Sequence, residues 1–142
     1  MTSNARTAAG ILVLRIAVGA IFAAHGAQKL FEYGVAGTTG AFTDMGVPGA
    51  AVVAPAIAAL EFGGGILLVL GAFTRVVGVL LAADMAGAIA LVHAPAGFWV
   101  DAGGVEFVAL LGAGALALAF TGGDRFSADN TVLKRALPAL LR

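Results

Sequence analysis

The sequence predicts an all-α integral membrane protein, an antiparallel bundle of four transmembrane helices forming a single domain over residues 1–142. Three observations carry that prediction. The chain is 61% hydrophobic and 11% charged, against roughly 25% charged residues in a soluble domain. Its mean hydropathy is +1.02, so it lacks the polar surface that would cover a particle in water. Four apolar segments stand out, at about 9–30, 51–72, 75–93 and 103–121. Each is near the ~20 residues that cross a ~30 Å hydrocarbon layer.

Segments of this kind are helices or barrel strands, because lipid offers no partner to bare backbone groups. Barrel strands are roughly 10 residues long and alternate in polarity. These runs are about twice that length and do not alternate, so they read as helices. The first has a short polar start but carries Arg15, which argues against a cleaved leader with its uncharged core. The connection after it is the longest, about 31–49, and holds a short helix over 38–45. Gly46 stops that helix and Pro48 follows it. Phe42 and Met45 would press it onto the membrane surface as an interfacial helix in the first outer loop.

Segments two and three meet at Phe73, Thr74 and Arg75, which predicts a tight hairpin. Segments three and four are joined through 93–102, with Pro95 and Gly97. Residues 130–142 mix leucines with Lys134, Arg135 and Arg142 and read as an amphipathic tail on anionic lipid, or as a loose tail broken by Pro138. Arg6, Arg75, Arg125, Lys134, Arg135 and Arg142 fall on one side of the spans and Lys29 on the other. The positive-inside rule then places both termini in the cytoplasm. Gly63 to Gly65, the stripe Gly78, Ala82, Ala86 and Ala90, and Gly112 with Gly114 predict close helix packing.

Composition removes several functions. Zero formal net charge gives no footing for nucleic acid. The absence of cysteine excludes disulfides, cysteine nucleophiles and cysteine-ligated clusters. Neither a metal-ligand spacing nor a phosphate-binding glycine loop is present. His25 and His93 form a thin basis for haem.

An ionisable group inside a span costs at least a few kcal/mol, so each needs a reason. Arg15, Glu61, Asp84 and Glu106 lie within spans. At 1.5 Å per residue, Arg15 is about 9 Å from the cytoplasmic end, Asp84 about 13 Å and Glu61 about 17 Å. Arg15 is therefore expected to pair with Asp84, Glu61 or both, as a register-fixing ion pair or as part of a relay. Arg15, Phe22, His25, Gly26 and Lys29 share one sector of the first helix. Glu106 lies about 5 Å inside the outer end of the fourth span, at the depth of His25. His25, Lys29, Glu61 and Glu106 thus predict an outward-facing polar pocket for a polar head such as a quinone ring. The alternative is a snorkelling lysine beside a capped histidine.

The run Gly19-Ala20-Ile21-Phe22-Ala23-Ala24-His25-Gly26-Ala27-Gln28-Lys29-Leu30-Phe31 resembles the first-helix signature of DoxX-like membrane proteins. Gly46-Val47-Pro48, Ala59-Leu60-Glu61-Phe62-Gly63-Gly64-Gly65 and Leu70-Gly71-Ala72-Phe73-Thr74-Arg75 fit the same pattern in order. So do His93-Ala94-Pro95-Ala96-Gly97-Phe98, Gly104-Val105-Glu106-Phe107 and the closing Gly122-Gly123-Asp124-Arg125-Phe126-Ser127-Ala128-Asp129. The resemblance implies a four-helix bacterial inner-membrane protein. It is shared with the small subunit of thiosulfate:quinone oxidoreductase. It is shared also with mycobacterial proteins tied to a complex with a superoxide dismutase and a sulfurtransferase. Three functions follow as expectations. The first is a quinone-linked subunit of an oxidoreductase in sulfur, thiol or oxidative-stress redox. The second is a non-catalytic membrane anchor for soluble redox enzymes, and the third a small transporter, in which a homo-oligomer forms the pore.

Overall fold

A computed structural model describes residues 3–135 and 138. The described residues are helical, with no strand among them. Helix α1 (Ser3–Ala27) runs into a π-helical turn (Gln28–Glu32) and is followed by α2 (Gly34–Asp44). Next come α3 (Ala50–Leu70) and α4 (Thr74–Ala88), the latter extended by a second π-helical turn (Ile89–His93). Short 3-10 turns at Ala94–Ala96 and Val100–Ala102 lead into α5 (Glu106–Thr121), and α6 (Ala128–Thr131) closes the described chain.

Three helical stretches are long and apolar enough to cross a membrane: Asn4–Glu32, Ala50–Leu70 and Thr74–Ala96. The fourth, Glu106–Thr121, has 16 residues and a length of about 24 Å. It starts later than the expected residue 103 because 97–106 folds into a compact loop first. In that loop Gly104 N–H donates to Trp99 O, Val105 N–H to Gly97 O and Glu106 N–H to Phe98 O. Of the expected tail over 130–142, the described part leaves the helix after Thr131; Leu137, Leu140, Leu141 and Arg142 lie outside the described residues.

The bundle is built as two close pairs, α1 on α3 and α4 on α5. Glycine sets the distance in both. A Cβ on Gly26 would lie 2.1 Å from the Phe62 backbone nitrogen, and one on Gly65 would lie 2.3 Å from that of Ala23. A Cβ on Gly78 would lie 2.8 Å from Ala115 O and Ala119 N. In lipid, where burial against another apolar helix brings no water release, such backbone approach supplies the dispersion contact that holds helices together. Gly64 lets α3 and α4 meet at Val77 and Leu81. The core between the pairs includes Val18, Phe22, Leu68, Leu81, Leu111 and Leu118. Only part of the expected small-residue stripe is used, since Ala86 and Ala90 are exposed.

Helices α3 and α4 are joined by Gly71, Ala72 and Phe73. Gly71 and Phe73 both have positive φ, 71° and 54°. The strain at Phe73, which carries a side chain, is held by Asp129. Its carboxylate accepts Phe73 N–H at 2.7 Å, Thr74 N–H at 2.9 Å and the Thr74 hydroxyl at 2.7 Å. A negative charge thereby caps the N-terminus of α4. Arg75 does the converse for α5, donating to the carbonyls of Ala119 and Phe120 at its C-terminal end.

Two alanine substitutions separate packing from composition. Gly26→Ala pushes a methyl group into backbone and is expected to destabilise by about 3 kcal/mol, the upper end for overpacking. Gly63→Ala meets no atom within 4 Å and is expected to leave stability unchanged or raised. Thermal unfolding midpoints of the purified proteins in one detergent check the pair.

Candidate functional site

Two polar groups sit inside the bundle, at different levels. The first surrounds Arg15, which is 2% exposed. Its Nη2 lies 3.4 Å from Asp124 Oδ2. This corrects the expected pairing of Arg15 with Asp84 or Glu61. Arg15 stands beside the Gly71 turn, where a Cβ would fall 1.4 Å from its Nη1. Glu61 is ten residues further along α3 from Gly71, about 15 Å away, beyond the reach of an arginine. Asp124 reaches Arg15 because residues 122–131 fold back over the turn, with Asp129 N–H donating to Gly71 O at 2.9 Å. Ser127, fully buried, caps α6, and Asn130 Nδ2 donates to Gly123 O at 2.7 Å.

The second group lines a cavity of about 590 Å³ between the two helix pairs. Its floor is the top of the core, with Phe22, Met85, Val108 and Leu111. Phe42, half-buried, and Met45, 42% exposed, border it where α2 packs on α3. The Thr38 hydroxyl donates to Lys29 O at 2.7 Å and ties α2 to the end of α1. At the back, the Lys29 ammonium pairs with Glu61 Oε2. Glu61 is 4% exposed. Asp84 lines the same cavity from α4, and its buried Oδ2 has no hydrogen-bond partner. One ammonium therefore faces two carboxyl groups in an otherwise aliphatic and aromatic space.

His25 and His93 also border this cavity. The His25 ring packs on Phe107, 5.8 Å between centroids. His93 Nδ1 is 2.7 Å from Gly103 O; a carbonyl only accepts, so Nδ1 carries the hydrogen, and Nε2 is the ring nitrogen left without that bond. Lys29 and His93 each belong to a π-helical turn, closed by Tyr33 N–H to Gln28 O and by Ala94 N–H to Ile89 O. π turns recur at functional sites because the extra residue re-aims side chains.

Of the expected pocket residues, the structure brings together His25, Lys29 and Glu61. It does not bring in Glu106, whose Oε2 accepts Val100 N–H at 3.0 Å and so serves the 97–106 loop. Asp84, expected beside Arg15, joins the cavity instead, and so does His93. Spacing held a signal for Asp84: Leu80, Ala83, Asp84, Gly87 and Leu91 share one face of α4 and its extension.

Apolar helices of membrane-crossing length around a polar-backed cavity define a multi-pass membrane protein. The chain belongs to the DoxX family, whose pattern matches residues 10–94. That stretch contains Lys29, Glu61, Asp84 and His93, and stops short of Asp124. The chain is similar to "Putative oxidoreductase CatD" of Bacillus subtilis, 40% identical over 125 residues that cover 88% of each chain. It is also similar to "Uncharacterized membrane protein Rv3486" of Mycobacterium tuberculosis, 33% identical over 89% of this chain and 83% of that protein. No solved structure matches it significantly.

The Arg15–Asp124 pair is testable as a structural element. Asp124→Leu leaves a buried guanidinium alone and is expected to cost about 3–5 kcal/mol. Adding Arg15→Met removes the stranded charge and is expected to recover most of that loss. Denaturation of the two variants in detergent measures both steps.

Proposed function

We propose that this chain is the quinone-binding membrane subunit of an oxidoreductase working in thiol, sulfur or oxidative-stress redox. The observation that carries the reading is the cavity itself, apolar on most of its wall and backed by Lys29, Glu61 and Asp84. A few convergent polar groups in a mostly apolar space of 300–1,000 Å³ is the usual form of a small-molecule site.

The residues fit a quinone ring. The Lys29 ammonium has three N–H donors and uses one on Glu61, leaving others for a ring oxygen. The buried Oδ2 of Asp84, without a partner, would accept from a hydroxyl of the reduced ring, or donate to a ring carbonyl once protonated. His93 Nε2 and the two carboxyl groups offer places to hold and pass a proton. A bound quinone would supply two-electron, two-proton carriage. The protein's own part is to seat the head against Lys29, exclude water with Phe22, Phe42 and Phe107, and exchange protons at Asp84 and Glu61. Electrons arrive from a partner chain in this reading, and the name of the Bacillus subtilis relative as an oxidoreductase supports it.

The reading includes a topology. Helices α1, α3, α4 and α5 cross a bacterial inner membrane in antiparallel order, the 97–106 loop completing the short fourth crossing. The end carrying Arg6, Arg75, Arg125, Lys134 and Arg135 faces the cytoplasm. Helix α2 lies at the outer interface, and Lys29, Glu61 and Asp84 sit in the outer half.

Binding of menadione, a tail-less naphthoquinone, to the protein in lipid nanodiscs tests the reading. Glu61→Gln and Lys29→Met are each expected to weaken binding at least tenfold, about 1.4 kcal/mol, while Gly63→Ala binds as the parent. No binding by the parent, or equal binding by all, contradicts it.

A further inference from the structure

The cavity has a mouth. Two of the helix seams that border it differ in how they close. The α1–α5 seam is filled: the His25 ring packs on Phe107, Phe22 is 1% exposed, and a Cβ on Gly114 would lie 2.8 Å from Val18. The α3–α4 seam is tight only near the turn, where Gly64 meets Val77 and Leu81. Further along, both helices contribute to the cavity wall, Val53 and Ile57 from α3 and Leu80, Ala83, Gly87 and Leu91 from α4. Of these, Leu80, Ala83 and Leu91 are exposed, at 47% and 50% for the two leucines. A Cβ on Gly87 meets nothing within 4 Å.

We propose that the α3–α4 seam is a lateral portal, and that the site takes a ligand with a polar head and a long apolar tail that leaves through this seam into the bilayer. The inference rests on the quinone reading and adds the ligand's second half. The mouth is aliphatic, with no donor or acceptor side chain among those six residues, so it offers water nothing and suits hydrocarbon. It is continuous with the space in front of Lys29 and Asp84, so a head seated there points its substituent at the seam. A cavity of about 590 Å³ holds a two-ring head and the first carbons of a prenyl chain. The remainder of the chain has to leave, and covering it with lipid costs nothing. Loading from the bilayer also removes any need for the head to pass Phe42 and Met45.

The test compares menadione with its tetraprenyl-tailed counterpart in nanodiscs. The parent is expected to bind the tailed compound at least tenfold more tightly. Ala83→Trp and Gly87→Leu fill the seam and are expected to cut that preference at least tenfold, because they obstruct the tail. Ala24→Trp, on the outer groove beside His25 on the other side of α1, is expected to keep the preference. If both compounds bind but neither seam variant changes the preference, or if Ala24→Trp alone abolishes it, the portal is wrong and the quinone reading stands. If the parent binds neither compound, both are wrong. Unchanged melting of the variants in detergent keeps misfolding out of the comparison.

Discussion

The contact of α1 with α3 is the constraint on which the rest depends. Gly19, Gly26 and Gly65 bring the two backbones into contact, and a methyl group at any of them forces the helices apart. That approach fixes the register: with Gly26 against Phe62, Lys29 comes level with Glu61 one turn on. At the other end the same pairing brings Arg15 beside the Gly71 turn. Arg15 and Lys29 therefore find their surroundings through glycines on the seam and not through their own attraction. A salt bridge alone would be a poor organiser, since desolvating two charges offsets most of their Coulomb gain.

The two polar layers answer the cost of burial differently. Around Arg15 the charges are enclosed, Asp124 and Asp129 being 4% and 0% exposed, and they stitch residues 122–131 onto the α3–α4 turn. Neither the cavity nor the groove outside His25 is lined by a residue of that layer. Both layers hold buried polar atoms without a hydrogen bond, Arg15 Nε and Nη1 and Asp124 Oδ2 in the first and Asp84 Oδ2 in the second; around Lys29, one ammonium also serves a cavity that holds two carboxyl groups. A mid-bilayer charge costs about 2.5–3.5 kcal/mol even on the gentlest scale. What separates the layers is access: the Lys29 layer lines the cavity and is the better candidate for binding, while the Arg15 layer is packed against the closing segment and suits stability.

Much of this was legible in the sequence. Segment length and hydropathy locate α3 and α4 to within a few residues and α1 less closely at its start, and the first-helix face holds both His25 and Lys29, which line the cavity. Glu61 follows from depth alone. The Arg15 pairing differs because depth measured from the ends of apolar runs takes no account of α1 beginning at Ser3 or of the closing segment folding back into the bundle. That fold-back supplies Asp124, which lies outside every apolar run, and it frees Asp84 for the cavity. Glu106 has the right depth and the wrong direction, because the unpaired Val100 N–H draws its carboxylate into the loop. The π turns at Gln28–Glu32 and Ile89–His93, which aim Lys29 and His93, have no signature in hydrophobic periodicity.

The central claim is that the Lys29, Glu61 and Asp84 layer seats the head of a quinone. Photolabelling with an azidoquinone in native membranes, followed by peptide mapping, tests it most directly. The account predicts label concentrated on residues 25–29, 57–61 and 84–93, competed away by unlabelled quinone. Label confined to the lipid-facing residues Val13, Val52, Leu110 or Phe120, or label that excess quinone fails to displace, would contradict it.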